Sequence, residues 1–211
     1  SIGQVYRAKY KSHRVAVKVQ YPNVIETLES DFSRLLALSR LASLATQVDG
    51  PAIARELRDG VIEECDYEKE KANQTAFRNA YAQNGNLLIP EVIQERTRPT
   101  VITTEWCEGD DFYAFIDRAS PEQRNGAAVI LMSFAYDSLF GLGTINADPH
   151  PGNYLFPDDG RIVFLDFGSV RRFDPEMLEA ERNLARAVID NRRSIFEEVL
   201  TATGMVARPD G

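Results

Sequence analysis

The chain has 211 residues, of which 44% are hydrophobic and 27% are charged, a balance typical of a globular protein with a substantial core. Its formal net charge of -8 argues against nucleic-acid binding, which needs clustered Lys and Arg, and against a purely electrostatic attachment to an anionic membrane. The two cysteines, Cys65 and Cys107, stand far apart without metal-ligand spacing, which argues against a disulfide framework and favours an intracellular, reducing compartment.

The first half of the chain predicts a strand pair, then helices and a buried strand. Apolar and polar residues alternate on both sides of a polar turn at 11–14, which is typical of a hairpin. From residue 24 to about 82, apolar residues recur every three or four positions. Gly50-Pro51 interrupts this pattern, and a second helical region is predicted over roughly 52–81. The run from 100 to 106 predicts a buried strand.

The second half predicts helices around a polar loop. Helices are predicted over 121–139 and 175–200, with a loop at 141–153. A pair of short strands is predicted over 154–156 and 162–165, joined by a turn rich in Pro, Asp and Gly. No apolar run approaches the roughly 18 residues that a membrane-spanning helix needs, so we expect none.

Together these elements predict an α+β fold with two lobes around a cleft. A polar break at 108–111 marks the boundary. We place an N-lobe at 1–104, a hinge at 105–109 and a C-lobe at 110–211. Because the chain starts without Met, we expect it to be a piece of a longer protein, truncated at both ends.

The strongest local signal is a polar loop followed by a short tripeptide. Residues 148–153 read Asp-Pro-His-Pro-Gly-Asn, and residues 166–168 read Asp-Phe-Gly. In a kinase fold, the loop Asp orients the attacking hydroxyl, an Asn five positions later ligates metal, and the Asp of Asp-Phe-Gly supplies the main metal carboxylate. Asp148, Asn153 and Asp166 have this order and spacing. Either motif alone fits an ordinary turn, but together they indicate phosphoryl transfer with Mg²⁺.

Lys18 is the candidate phosphate-binding lysine. It closes the run Val-Ala-Val-Lys, the strand pattern from which a kinase lysine reaches the nucleotide phosphates. Such a lysine needs an acidic partner. Asp66 and Glu70 lie one turn apart on one face of the predicted helix, while Glu64 points elsewhere. The pattern alone does not choose among them, and an ordinary solvated acidic face fits much of the same run.

Weaker signals come from the predicted hinge and from the loop histidine. Backbone groups of Glu105 and Cys107 would bond the adenine edge if the segment is a hinge, although a plain exit from the strand fits the same residues. The Cys107 thiol is expected to pack rather than to act as a nucleophile. His150 is expected to structure its loop, since no other metal-binding residue type surrounds it at metal-ligand spacing.

These motifs together resemble the ADCK/UbiB family of atypical kinases. Residues 1–5 look like the end of the family's alanine-rich nucleotide loop. Glu64-Cys65-Asp66 matches the family's Glu-x-Asp signature, and Glu70 falls where the helix glutamate that pairs with the lysine should be. The matching segments are completed by the lysine strand at 15–22, the loop at 148–153 and the tripeptide at 166–168.

The resemblance implies a protein-kinase-like fold with a small β-containing N-lobe, a helical insertion and a mainly helical C-lobe. It also implies binding of ATP or ADP with Mg²⁺, with nucleotide contacts from Gly3, Val5 and Ala16. Glu64 and Asp66 would constrain the nucleotide or metal region together with the family's N-terminal extension, which carries a Lys-x-Gly-Gln motif and is expected to be absent here.

The resemblance further implies a role in ubiquinone or related isoprenoid-lipid biosynthesis, at bacterial, mitochondrial or plastid membranes that make prenylated quinones and related lipids. The expected partners are therefore an isoprenoid lipid or quinone precursor, and a membrane or biosynthetic complex bound peripherally. ATP hydrolysis or small-molecule phosphorylation is favoured over protein phosphorylation.

The expected mechanism assigns one role to each candidate. Lys18, held by Glu70, engages the α- and β-phosphates. Asp166 and Asn153 hold Mg²⁺, and Asp148 orients a water or acceptor hydroxyl for in-line attack. Two alternatives stay open: a small-molecule kinase of the aminoglycoside or choline type, whose loop usually reads His-x-Asp, and a nucleotide-gated scaffold or lipid chaperone without significant phosphoryl transfer.

Overall fold

The computed structural model describes residues 2–43 and 49–202, so Ser1, part of the first predicted helical region and the end of the predicted C-lobe lie outside the described residues. Its strands and helices are, in chain order, β1 (Gly3–Tyr10), β2 (His13–Gln20), α1 (Val24–Ser43), α2 (Gly50–Glu63), α3 (Tyr67–Ala80), β3 (Leu87–Leu88), β4 (Val101–Glu105), α4 (Phe112–Arg118), α5 (Pro121–Leu142), β5 (Thr144–Asn146), β6 (Tyr154–Leu155), β7 (Ile162–Phe164), β8 (Val170–Arg172), α6 (Pro175–Ile189) and α7 (Arg193–Ala202). Short 3₁₀ helices cover Gln94–Arg96 and Pro151–Asn153.

The predicted hairpin and the buried strand form one antiparallel sheet. Its order is β1-β2-β4, with β2 in the centre. Lys11 at the tight turn has φ 53°, a left-handed conformation that turns the chain directly back into β2. Lys18 lies opposite Val5 on β1 and Ile102 on β4, so the central strand presents the lysine from a fixed position.

The helical region predicted over 52–81 is confirmed, and the structure divides it into two helices. α2 ends at Glu63, and Cys65 and Asp66 donate backbone bonds to Ile62 and Glu63 in a tight turn. Asp66 then caps α3, since its side chain accepts a bond from the backbone N–H of Lys69 at 3.0 Å. The break separates α3 from α2 and leaves Glu64 in the turn.

The second predicted strand pair is confirmed as the β6–β7 hairpin. Tyr154 pairs with Phe164 and Leu155 with Val163 in antiparallel register, and β3 joins β7 on its other side in parallel. The chain reverses through a turn in which Gly160 has φ +82°. This hairpin connects the 148–153 loop to the tripeptide at 166–168.

The last predicted helix, over 175–200, is wrong as a single element. α6 ends at Ile189, and Asn191 has φ 53°, which stops a right-handed helix before α7 begins. α4 and the paired strands β5 and β8 were not predicted, because each has only three to seven residues and a correspondingly short sequence pattern.

The chain divides into two compact units. One comprises Ser1–Ala127 and Asp148–Ser169, and the other Ala128–Ala147 and Val170–Gly211. All the candidate site residues belong to the first unit. The lobe boundaries placed around the hinge stay a prediction.

One helix of the described part, Pro121–Leu142, is long and apolar enough to cross a membrane by length and composition alone. The expectation of no such segment counted unbroken apolar runs, whereas scattered Ser and Gly residues interrupt this helix without making it polar. Val129, Met132 and Tyr136 are each more than half exposed. A single helix of this kind is weak evidence of membrane insertion, since helices of soluble proteins meet the same test.

Candidate active site

Lys18 lies between two carboxylates that come from different elements. Its Nζ donates to both carboxylate oxygens of Glu70 on α3 at 3.0 Å, and to Oδ2 of Asp166 at 2.9 Å. Glu70 is only 2% exposed, while the side chains of Lys18 and Asp166 are 15% and 26% exposed. Of the acidic residues that the sequence left open, Glu70 is therefore the one that fixes the lysine.

The charges of this triad are strongly coupled. Burial opposes the charge on Lys18, but the attraction of Glu70 and Asp166 outweighs it and raises the pKa of the lysine. Burial raises the pKa of Glu70, and the attraction of Lys18 opposes this rise. We assign the charged pair, because three donor contacts at 2.9–3.0 Å are those of an ammonium between carboxylates.

Asp166 is held as a carboxylate by its neighbours. Its Oδ1 accepts a bond from the backbone N–H of Gly168 at 2.9 Å. Burial works against its charge, yet the attraction of Lys18 and the Gly168 bond outweigh burial and lower the pKa of Asp166. The carboxylate is thus ionised and fixed in direction.

The 148–153 loop brings a second pair of polar side chains together. Nδ2 of Asn153 donates to Oδ2 of Asp148 at 2.8 Å and to its carbonyl oxygen at 3.2 Å. Leu165 donates its backbone N–H to the carbonyl of Asn153 at 2.9 Å, which joins the loop to the residue before Asp166. His150 has the structural contact expected of it, since its Nδ1 accepts a bond from the Gly152 N–H at 3.0 Å.

A cavity of about 170 Å³ unites these groups. Its lining comprises Ile2, Lys18, Glu64, Asp148, His150, Asn153, Asp166, Gly168 and Ser169. Four of the sequence-derived candidates for phosphate, metal and acceptor binding therefore share one cavity. Glu64 faces it too, and burial together with the charges of Asp148 and Asp166 raises the pKa of Glu64.

Tyr67 forms the floor beneath the lysine. It is fully buried, and Nζ of Lys18 lies 5.1 Å from the centroid of its ring, a cation–π contact. Burial raises the pKa of Tyr67 to about 12. A Cβ at Gly3 would lie 2.6 Å from the Tyr67 hydroxyl and would overlap the carbonyl oxygen of Val19, so only glycine fits at this point of β1.

The remaining candidates lie outside this lining, as far as the described residues go. Asp66 caps α3 rather than facing the cavity. At the predicted hinge, Glu105 donates its backbone N–H to the carbonyl of Glu91 at 2.8 Å, and burial raises the pKa of Cys107 to about 11. Gly3, Val5 and Ala16 lie on β1 and β2. Nucleotide contacts from these positions stay predictions.

Sequence reasoning missed the buried polar face of α3. Tyr67, Glu70, Asn73, Gln74 and Phe77 recur at helical spacing, and each is at most 3% exposed. Only Glu70 was singled out. The helical spacing of these residues was the available signal. Asn and Gln are usually exposed, however, so the sequence alone did not indicate that this face of the helix is buried.

The donor set suits Mg²⁺. Asp166 offers a carboxylate, and the amide nitrogen of Asn153 bonds Asp148, so the amide oxygen is the atom suited to a metal. Within the described ranges, no three carboxylate, imidazole or thiol groups converge closely enough to hold an ion by themselves. Hard oxygens from the protein would therefore act together with phosphate oxygens, as Mg²⁺ sites of nucleotide enzymes do.

Comparison with known proteins identifies a family and a fold. A family model described as the ABC1 atypical kinase-like domain matches residues 1–199. The chain is 32% identical over 177 residues to Protein ACTIVITY OF BC1 COMPLEX KINASE 3, chloroplastic, from Arabidopsis thaliana, covering 80% of this chain and 24% of that protein. It is 30% identical over 205 residues to Atypical kinase COQ8, mitochondrial, from Saccharomyces cerevisiae, covering 93% and 40%.

A solved structure shows the same fold. The protein Rv3197 from Mycobacterium tuberculosis, determined in complex with erythromycin, matches with a TM-score of 0.81 and 29% identity over 100% of this chain and 54% of its own. The chain spans about a quarter of the length of the first curated relatives it matches.

Proposed function

The chain belongs to the ABC1 atypical kinase-like family, and from this premise we propose that it binds Mg-ATP and transfers or hydrolyses the terminal phosphoryl group. The observation that supports this most is the position of Lys18 between Glu70 and Asp166. The same cavity is lined by Asp148 and Asn153. A lysine, a loop carboxylate and two hard oxygen donors are the groups that phosphoryl transfer requires.

Lys18 would neutralise phosphate charge. Its ammonium has three N–H donors, now directed at Glu70 and Asp166. A phosphate oxygen that takes the donor now given to Asp166 would leave that carboxylate available, while Glu70 keeps the lysine in place. The buried Glu70 would thus hold Lys18 in place, while a phosphate oxygen would replace the more exposed Asp166 as its second partner.

Asp166 and Asn153 would hold the metal. When bound, Mg²⁺ supplies charge neutralisation on the phosphates. The Gly168 bond fixes one oxygen of Asp166, and the Asp148 contact orients the amide of Asn153. The chain's own residues therefore prepare the donor atoms in advance.

Asp148 would orient the attacking group. Its carboxylate lies in the cavity and is positioned by Asn153 at 2.8 Å. A water or acceptor hydroxyl that donates to this carboxylate would be held for in-line attack.

The test compares Asp166→Asn with Asp158→Asn. Asp158 lies in the turn of the same hairpin, its side chain is 94% exposed, and it pairs with Arg118 at the surface. We expect Asp166→Asn to lose ATP turnover by at least about a hundredfold, as the loss of a main electrostatic group does, whereas Asp158→Asn keeps it. Full Mg²⁺-dependent ATP turnover in Asp166→Asn would contradict the proposal.

We further propose an isoprenoid lipid or quinone precursor as the partner, with peripheral attachment to a bacterial or organellar membrane. The support is the ADCK/UbiB resemblance together with relatives whose names place them in chloroplasts or mitochondria. Turnover should rise with vesicles that contain a prenylated quinone and not with the same vesicles without it. Equal turnover with both would contradict this part alone.

One observation favours a nucleotide-gated scaffold as a second candidate. Lys18 engages the proposed metal carboxylate of Asp166, so metal binding, and with it turnover, would require this contact to exchange. Measuring ADP and ATP affinity by titration calorimetry, together with the steady-state rate of ATP hydrolysis, distinguishes the scaffold from the enzyme. Tight binding with no hydrolysis under any condition would establish the scaffold.

A further inference from the structure

α3 supports the Asp-Phe-Gly segment as well as the lysine. Asn73, 3% exposed, donates its side-chain amide to the carbonyl oxygen of Phe167 at 3.0 Å. Phe77, one turn further on, packs on the Phe167 ring with centroids 5.1 Å apart. Phe167 itself is fully buried. The middle residue of the tripeptide is therefore held at its backbone and at its ring by one helix face.

That face also carries Glu70, three residues before Asn73. Because residues three and seven apart lie on one side of a helix, Glu70, Asn73 and Phe77 form a single stripe. Glu70 fixes Lys18, and Asn73 fixes the residue directly after Asp166. A shift of Phe167 would move the carboxylate that its chain neighbour presents to the cavity.

We infer that Asn73 is a positioning residue that holds the proposed metal carboxylate of Asp166 in place through the carbonyl of Phe167. The inference rests on the proposed function. A buried amide bonded to a backbone carbonyl would contribute to stability anywhere in a protein. The distinguishing property of Asn73 is its acceptor, the carbonyl oxygen of Phe167, because Phe167 lies between Asp166 and Gly168, which both line the cavity.

The neighbouring residue provides a matched control. Gln74, fully buried on the same helix, donates its side-chain amide to the carbonyl of Pro90 at 2.8 Å. Asn73→Leu and Gln74→Leu each remove one buried amide-to-carbonyl bond from α3. Pro90 is outside the lining of the cavity. A purely structural role predicts the same consequences for both variants.

The measurement is ADP affinity by titration calorimetry, with Mg²⁺ and with a chelator, on the whole chain. We expect Asn73→Leu to reduce the Mg²⁺-dependent gain in affinity by about three- to tenfold, the equivalent of one hydrogen bond. Affinity in chelator should be unchanged, and Gln74→Leu should keep the full gain. An equal reduction in both variants, or none in Asn73→Leu, overturns the inference. If Asn73→Leu does not fold, Asn73→Ala beside Gln74→Ala makes the same comparison.

Hydrogen exchange keeps this test separate from that of the proposed function. The Gly168 amide donates to Asp166, so its protection reports the position of that carboxylate without nucleotide or metal. We expect exchange at Gly168 to be about three- to tenfold faster in Asn73→Leu than in Gln74→Leu. Wild-type protein without any Mg²⁺-dependent gain would count against the proposed function. Equal exchange in the two variants would count against Asn73.

Discussion

Replacing Lys18 by Met should destabilise the protein in a strongly pH-dependent way. A buried ion pair as a whole contributes little to stability, but removal of one partner leaves the other charge buried. Glu70 is 2% exposed, and its ion pair within the described residues is with Lys18. Without the ammonium, Glu70 is expected to take up a proton on folding, because burying the neutral acid costs less free energy than burying the unpaired carboxylate.

The size of this penalty follows from the ordinary pKa of the carboxyl. In the unfolded chain Glu70 titrates near 4.5. Each pH unit above that value adds about 1.36 kcal/mol to the cost of burying the protonated acid. Because Lys18 keeps Glu70 charged in the wild type, this cost falls on the variant alone, which should lose about 3.4 kcal/mol at pH 7 and about 0.8 kcal/mol at pH 5. The sign is that of an acid whose pKa is raised by folding: the penalty is absent below pH 4.5 and grows as the pH rises.

Urea unfolding followed by circular dichroism at pH 5 and pH 7 measures both values. The double variant Lys18→Met/Glu70→Gln serves as the control, because a neutral amide at position 70 has no proton to take up. Its stability should be nearly the same at both pH values and above that of Lys18→Met at pH 7. An equal penalty at pH 5 and pH 7, or no recovery in the double variant, would refute the reasoning.

Two further predictions concern buried groups beside the site. Tyr67→Phe should leave the free energy of unfolding unchanged or raise it by about 1 kcal/mol, because the Tyr67 hydroxyl is buried and has no hydrogen-bond partner among the described residues. Urea unfolding measures this, and a loss of stability above about 1 kcal/mol would show that the hydroxyl makes a hydrogen bond. Cys107 should react with iodoacetamide about a hundredfold more slowly at pH 8 than an ordinary thiol, because burial, assisted by Glu105, raises its pKa to about 11. Mass spectrometry of the labelled peptides measures this rate, and labelling as fast as that of a model peptide would contradict it.

The site residues from the loop and the tripeptide were predictable because their relation is local. Asp148 and Asn153 lie on one short loop, and a two-stranded hairpin returns the chain to Asp166. Strand alternation and a turn containing Pro and Gly encode that hairpin directly. Lys18 was predictable for a similar reason, since the strand pattern around it is itself a short sequence signal.

The family resemblance named Glu70 as the partner of Lys18, but the residue pattern alone did not, and the supports on α3 required the fold. Glu64, Asp66 and Glu70 lie in one acidic run, and the break before α3 gives them different surroundings. That break depends on one Asp side chain that caps a helix, a preference worth about 1 kcal/mol and easily hidden in an acidic run. Asn73 was missed because amides are usually exposed, and its burial is a consequence of tertiary packing.

The β6–β7 hairpin has a practical consequence for labelling and for insertion. The Asn153–Leu165 backbone bond at the base of the hairpin brings Asn153 close to Asp166, while the tip is exposed at 158–160. Residues added at the tip would lengthen a loop whose ends are already joined, which costs little closure entropy. A peptide tag or fluorophore there would lie at the opposite end of the hairpin from Asn153 and Asp166, outside the cavity that these two residues line.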